Sequence, residues 1–192
     1  MRRVLLLTLL ALALPMMAFA SSSIDIGNHF GTITGSSAGL SLTGSTLFAY
    51  GSAVGSNLGS VSFTTGAFTS GNAQMGGTLA PGGSFTITGN GTNGVPNGVI
   101  FSGTFTAASW DLVTLDNGTH NYILKGAIAD ASGRVGGTSQ LSVNVGKGFF
   151  SGTAGLSSGD TNLSVPEPGT LGLLGTGLVG LAGVLRRKFR IS

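Results

Sequence analysis

The chain has 192 residues, 35 of them glycine and none cysteine, with nine lysines or arginines against six acidic residues for a formal net charge of +3. The missing cysteine excludes a disulfide-stapled scaffold and every thiolate metal site. The basic excess sits at the two ends, in Arg2, Arg3, Arg186, Arg187, Lys188 and Arg190, while the interior sets three cations against five aspartates, a net charge of −2, which excludes a basic nucleic-acid-binding surface.

The first 20 residues read as a secretory signal. Arg2 and Arg3 give a basic start, an apolar run covers 4–14, and Ala18-Phe19-Ala20 supplies the small residues of a signal peptidase site. The run is too short to span a bilayer as a helix, so cleavage is expected after Ala20. An exported chain without cysteine is held by packing alone. Residues 21–165 offer 40 large apolar side chains in 145 positions, and a chain of about 150 residues buries about 68–70% of its surface on folding. One compact domain is expected.

That domain, taken as 21–164, reads as all-β. Val61 and Phe63, Phe85 and Ile87, the run Val99, Phe101, Phe105, Ala107, and the run Leu141, Val143, Val145 all alternate with Ser, Thr, Asn or Gly, the period of half-buried strands. Pro81-Gly82-Gly83, Asn90-Gly91, Asn93-Gly94 and Asn97-Gly98 punctuate the chain at the roughly ten-residue spacing of sandwiches and barrels. An antiparallel β-sandwich is expected, with a barrel-like arrangement as the alternative, flanked by an N-terminal signal helix and a C-terminal transmembrane helix. The Gly- and Ser-rich stretch 35–59 is the best case for low-complexity disorder. Phenylalanines spread along the chain and scarce charge argue against it.

Asn117-Gly118 predicts a two-residue type I′ hairpin. That turn sets Val113 opposite Tyr122 and Trp110 opposite Lys125, so the lysine would ride on the indole face. Both faces of the hairpin carry apolar groups, which predicts a central rather than an edge position.

Two stretches fit the nucleophile-elbow pattern, 35–39 around Ser37 and 155–159 around Ser157. No histidine follows Ser157, only His120 follows Ser37, and no α/β alternation surrounds either, so both read as accidents of a Gly- and Ser-rich chain. His29 and His120 are the only histidines, too few for the usual N/S metal sites, and Asp25 with His29 reads as a solvent-facing pair. Asp111 and Asp116 are too sparse for a calcium loop. No two of the five interior aspartates stand out as glycosidase carboxylates. No cofactor is expected.

The last segment, 165–192, opens with Pro166-Glu167-Pro168, continues through an apolar, Gly-rich stretch over 169–185 and closes with Arg186-Arg187-Lys188-Phe189-Arg190. Seventeen residues just suffice to cross the hydrocarbon core, and the basic cluster marks the cytoplasmic side. The match of residues 175–180 to a dinucleotide fingerprint lies inside this stretch, with no preceding strand, and is a false positive. Gly172, Thr176 and Gly180, four apart, can equally form a small-residue helix face.

In that order, triplet, apolar segment and basic cluster resemble the PEP-CTERM sorting signal of Gram-negative bacteria. The resemblance implies recognition by exosortase, a membrane cysteine protease-transpeptidase, with cleavage near the triplet and delivery to the cell surface or the exopolysaccharide matrix. The implied partners are signal peptidase and the Sec export machinery, exosortase, the membrane before processing, and exopolysaccharide.

Three functions are therefore expected in descending order. The first is a non-catalytic structural or adhesive component of matrix or biofilm. The second is a carbohydrate-binding module in which Trp110 or Tyr122 stacks on sugar rings, and the remote third is a hydrolase.

Overall fold

A computed structural model describes residues 21–166, together with Gly177 and Gly180. The expected signal helix over 1–20 and the apolar helix over 169–185 lie outside the described residues, and no described helix is long and apolar enough to cross a membrane. Ser23–Ser164 form a compact unit.

Twelve strands fill the described chain: β1 Ser21–His29, β2 Thr32–Ser36, β3 Gly39–Tyr50, β4 Ala53–Thr64, β5 Phe68–Asn72, β6 Gly76–Leu79, β7 Gly82–Asn90, β8 Asn97–Thr114, β9 His120–Asp130, β10 Gly136–Asn144, β11 Thr153–Gly155 and β12 Ser158–Pro166. They pair in the order β1-β12-β10-β9-β8-β7-β4-β3, and β1 pairs again with β3. The eight strands thus close into an antiparallel barrel, the arrangement expected as the alternative to a sandwich. Of the remaining four, β2 lies between β3 and β11, while β5 pairs with β6 and β6 with β8.

Closure depends on a break that alternation alone does not reveal. β1 and β2 both run antiparallel to β3 in nearly continuous register, from Ile26↔Tyr50 to Ser36↔Gly39. Between them, Phe30 at φ 58° and Gly31 at φ 84° turn the chain sharply. A Cβ at Gly31 would lie 2.6 Å from the Ser45 amide nitrogen, so only glycine lets the two backbones come this close. The break frees β1 to reach β12 and shut the barrel, while β2 stays beside β3.

An eight-stranded barrel is just wide enough inside for side chains to fill it, and here two aromatic groups fill much of it. Phe63, Phe85, Phe101 and Phe105 pack at one level, with centroids 5.5 to 6.2 Å apart. Phe105 covers Gly126, whose Cβ would sit 2.4 Å from its ring. Further along β8 and β9, Trp110 stacks on Tyr122 at 5.2 Å, and Phe150 meets the indole edge-on at 5.7 Å. Leu40, Leu42, Leu47 and Leu58 are also buried, so stretch 35–59 is ordered core and not low-complexity coil.

Hydroxyl groups dress the outside in cross-strand pairs, among them Thr64 with Ser84 at 3.0 Å, Thr69 with Thr78 at 2.8 Å and Ser142 with Ser158 at 2.8 Å. Apolar inside and hydroxylated outside is the reverse of a lipid-facing barrel, whose outer band is apolar.

Two sequence expectations are corrected here. The Asn117-Gly118 turn is not the two-residue type: Leu115 pairs with Thr119, and the Gly118 amide donates to the Leu115 carbonyl at 2.8 Å. Only Gly118, at φ 78°, has the left-handed conformation, which makes a three-residue loop with a glycine bulge. One extra loop residue shifts the register, so Trp110 faces Leu124 and Leu112 faces Tyr122, while Lys125 faces Ser109. The cation is on the other side of the sheet from the indole. The expected central placement holds, since β8 and β9 have neighbours on both sides. The second correction concerns β8, where the register shifts between Phe105 and Ala107 and again near Ile100. Phe101 and Phe105 point inward as expected, but Val99 is 66% exposed and Ala107 is exposed.

Candidate functional site

The residues expected to stack on a ligand do not reach the surface. Trp110 and Tyr122 are each 0% exposed. The indole Nε1 donates to the Ala73 carbonyl at 2.8 Å; the Tyr122 hydroxyl donates to the Gln74 carbonyl and accepts from the Phe150 amide at 3.1 Å. Both rings therefore pin the turn between β5 and β6 and the segment after β10 over the barrel interior. Their stacking role is withdrawn, because the bulge near Thr106 reverses the pleat and brings the even positions of β8 inward.

The serines of the elbow-like stretches are equally remote from that chemistry. Ser37 lies in the turn joining β2 to β3, and Ser157 lies between β11 and β12, where its Oγ accepts the Asn144 amide at 3.1 Å. Neither junction leads into a helix, as an elbow requires. The His120 ring stacks on Phe149 at 4.3 Å, and its Nδ1 lies 3.0 Å from the Gly148 carbonyl. It holds a loop.

The outer face of β8, β9, β10, β12 and β1 carries a different assembly. Cross-strand register lines up Ser109, Lys125, Gln140 and Asp160 in a row. Asp25 of β1 extends it, lying close enough to Asp160 to act on its carboxyl group and meeting Asn162 Nδ2 at 3.5 Å. Two adjoining depressions of about 780 and 460 Å³ share Asp25, Gln140 and Asp160 as common wall. Burial and the neighbouring Asp25 carboxylate raise the Asp160 pKa above the ordinary value of 3.8. Lys125 pairs with Asp111 at 3.0 Å, a partly exposed contact worth about 0–1 kcal/mol.

One aromatic ring, that of Phe48, lines the smaller depression. The Phe48 ring reaches over Gly27, where a Cβ would come within 2.7 Å of Cζ; glycine at 27 makes room for the ring. The His29 ring packs at a tilt against Phe48 at 4.9 Å and against Phe30 at 4.0 Å. Phe30 is 66% exposed and is held at φ 58°, a region that bulky residues rarely occupy. The expected solvent-facing pair of Asp25 and His29 thus divides, the carboxylate joining the polar row and the imidazole the ring cluster.

Among the described residues no three His, Asp or Glu side chains gather as a metal site would need. Asp25 and Asp160 are 135 positions apart in sequence and meet only through closure, and Phe48 matters only by crossing Gly27, so neither leaves a local signal. The break at Phe30-Gly31 does: a glycine inside an alternating run marks a bulge or a close backbone approach.

The compact unit ends where a second signal begins. β12 pairs with β10 up to Gly136↔Ser164, and residues 164–188 match the family model described as PEP-CTERM protein-sorting motif. The chain carries a PEP-CTERM motif. Such a motif implies export across the membrane to the cell surface and exosortase-dependent sorting. The triplet Pro166, Glu167, Pro168 and the cluster Arg186, Arg187, Lys188 fall within the matched residues; Ala18 and Ala20 lie outside the described ones. No curated protein and no solved structure matches the chain. The PEP-CTERM match covers the tail alone and leaves the barrel to be read from its own chemistry.

Proposed function

We propose that the mature barrel is a non-catalytic component of the bacterial cell surface or extracellular matrix, structural or adhesive in exopolysaccharide or biofilm. The observation that carries this reading is the sorting motif placed directly after a closed barrel whose outer face is dressed with paired hydroxyls. A neutral, hydroxyl-rich surface can exchange hydrogen bonds with hydrated polysaccharide at little desolvation cost, and the scarcity of charge keeps those contacts insensitive to salt.

Deleting the gene is expected to reduce polysaccharide retention and surface attachment, with recovery on complementation. Unchanged biofilm, attachment and retention would overturn the reading. A second reading, a carbohydrate-binding module, is favoured by the ring cluster of His29, Phe30 and Phe48 beside the polar row; it replaces Trp110 and Tyr122 with residues that do reach solvent.

A further inference from the structure

We infer that the groove lined by Phe48, Asp25, Asp160 and Gln140, with His29 and Phe30 packed in series behind Phe48, binds a neutral polysaccharide chain along the outer face of β3, β1, β12 and β10. This rests on the matrix reading above and names its ligand class. Three observations carry it.

The first is strain. Phe30 occupies a left-handed backbone conformation at φ 58° and leaves its ring 66% exposed. Burial of that ring returns little, and a residue kept in a sparsely populated region persists only where the surroundings over-determine it. Conformations of this kind cluster at binding sites, where they place a group that packing alone would not. Here the ring is placed on His29, which leads to Phe48, so the exposed Phe30 ring continues the aromatic edge that Phe48 gives the groove.

The second is chemistry. Sugar rings present a C–H face to an aromatic plane and a rim of hydroxyls to acceptors and donors. The floor supplies both: carboxylate oxygens on Asp25 and Asp160, and the amide of Gln140, which accepts through its oxygen and donates through its nitrogen. Volumes of about 460 and 780 Å³ in sequence suit several sugar units lying end to end, and ligand sites commonly range from about 300 to 1,000 Å³.

The third is charge. The one cation lining the groove among the described residues, Lys125, is held by Asp111 at 3.0 Å. An acidic polymer would meet two carboxylates against a single lysine that already faces Asp111, a net negative lining that favours a neutral chain over a uronic acid polymer.

The test uses the full-length chain in mild detergent on an array of neutral, uronic acid and amino-sugar polysaccharides, with thermal unfolding followed in parallel. Retention on a neutral polymer is expected. Phe30→Gly and Phe48→Ala are each expected to weaken it at least ten-fold, and Val99→Ala, an exposed apolar change outside the groove, to leave it unchanged. Phe30→Gly is the decisive variant, because glycine accepts φ 58° without steric cost: its melting temperature should stay level or rise while binding falls. No retention on any neutral polymer, stronger retention on acidic or amino polymers, or retention indifferent to both groove variants would each overturn the inference. A deletion strain still defective in matrix retention would then show that the groove fails as the binding site while the matrix reading stands.

Discussion

At the scale of single residues, the inside of the barrel and its outside obey different rules. Tyr122 stands in the core only because its hydroxyl has partners, the Gln74 carbonyl and the Phe150 amide. Replacing it by Phe keeps the ring stacked on Trp110 but orphans one donor and one acceptor, so Tyr122→Phe should lower unfolding free energy by about 1–3 kcal/mol, measurable by urea denaturation. Outside, Asp160 is the more informative position. Its pKa is raised by burial and by Asp25, so the folded state holds its proton more tightly than the unfolded chain does. Stability is then greater when Asp160 is protonated and falls as pH rises from about the unfolded value through the raised one. Asp160→Asn should flatten that decline and raise the melting temperature at pH 7 relative to wild type, with the difference vanishing at low pH. A lower melting temperature for the variant at pH 7 would mean that the carboxylate is stabilised rather than strained by its surroundings.

At the scale of elements, existence was legible and register was not. Alternation in Val61 and Phe63, Phe85 and Ile87, and Leu141 and Val143 places β4, β7 and β10 and points the right side chains inward, because the period of two is written in the residues themselves. Register depends on one residue more or less in a turn or bulge, and Asn-Gly is compatible with both a two-residue and a three-residue loop. The extra residue in the β8–β9 loop moved Lys125 away from Trp110, and the bulge near Thr106 turned Trp110 inward. Gly118 carries the decision, since it alone in that loop is left-handed. Gly118→Ala puts a Cβ where L residues are disfavoured by roughly 1–2 kcal/mol, and no neighbouring atom would meet the new methyl. The expected result is a loss of that size in chemical denaturation with the fold retained; a neutral outcome would mean that the loop accepts another conformation without loss. Asp130, at the end of β9, supports the next turn by accepting from Ser132 Oγ at 2.6 Å and from the Arg134 amide at 2.9 Å, the side-chain-to-backbone bonding that suits aspartate to turns.

At the scale of the whole molecule, closure is what sequence patterning could not choose, since a sandwich and a barrel share the same alternation. It depends on β1 meeting both β3 and β12, and so on the break at Phe30-Gly31 and on the last strand before the sorting motif. The surface assembly is illegible for the same reason: Asp25 and Asp160 come from the first and last barrel strands. β12 supplies Leu163 and Thr161 to the interior, Thr161 bonded to Ser139 at 2.9 Å, and pairs with β10 through Ser164. A cut near Pro168 lies beyond that last pair and should leave the barrel intact, so the sorted product is expected to unfold at the same temperature as the full chain. Ending the chain at Ser157 instead removes β12, exposes the edges of β1 and β10 and opens the wall between the two depressions. That truncation should abolish cooperative unfolding and dye exclusion from the core. Were it to melt cooperatively near the temperature of the full chain, the barrel would hold without its last strand, and the sorting cut could fall further upstream without harm to the exported fold.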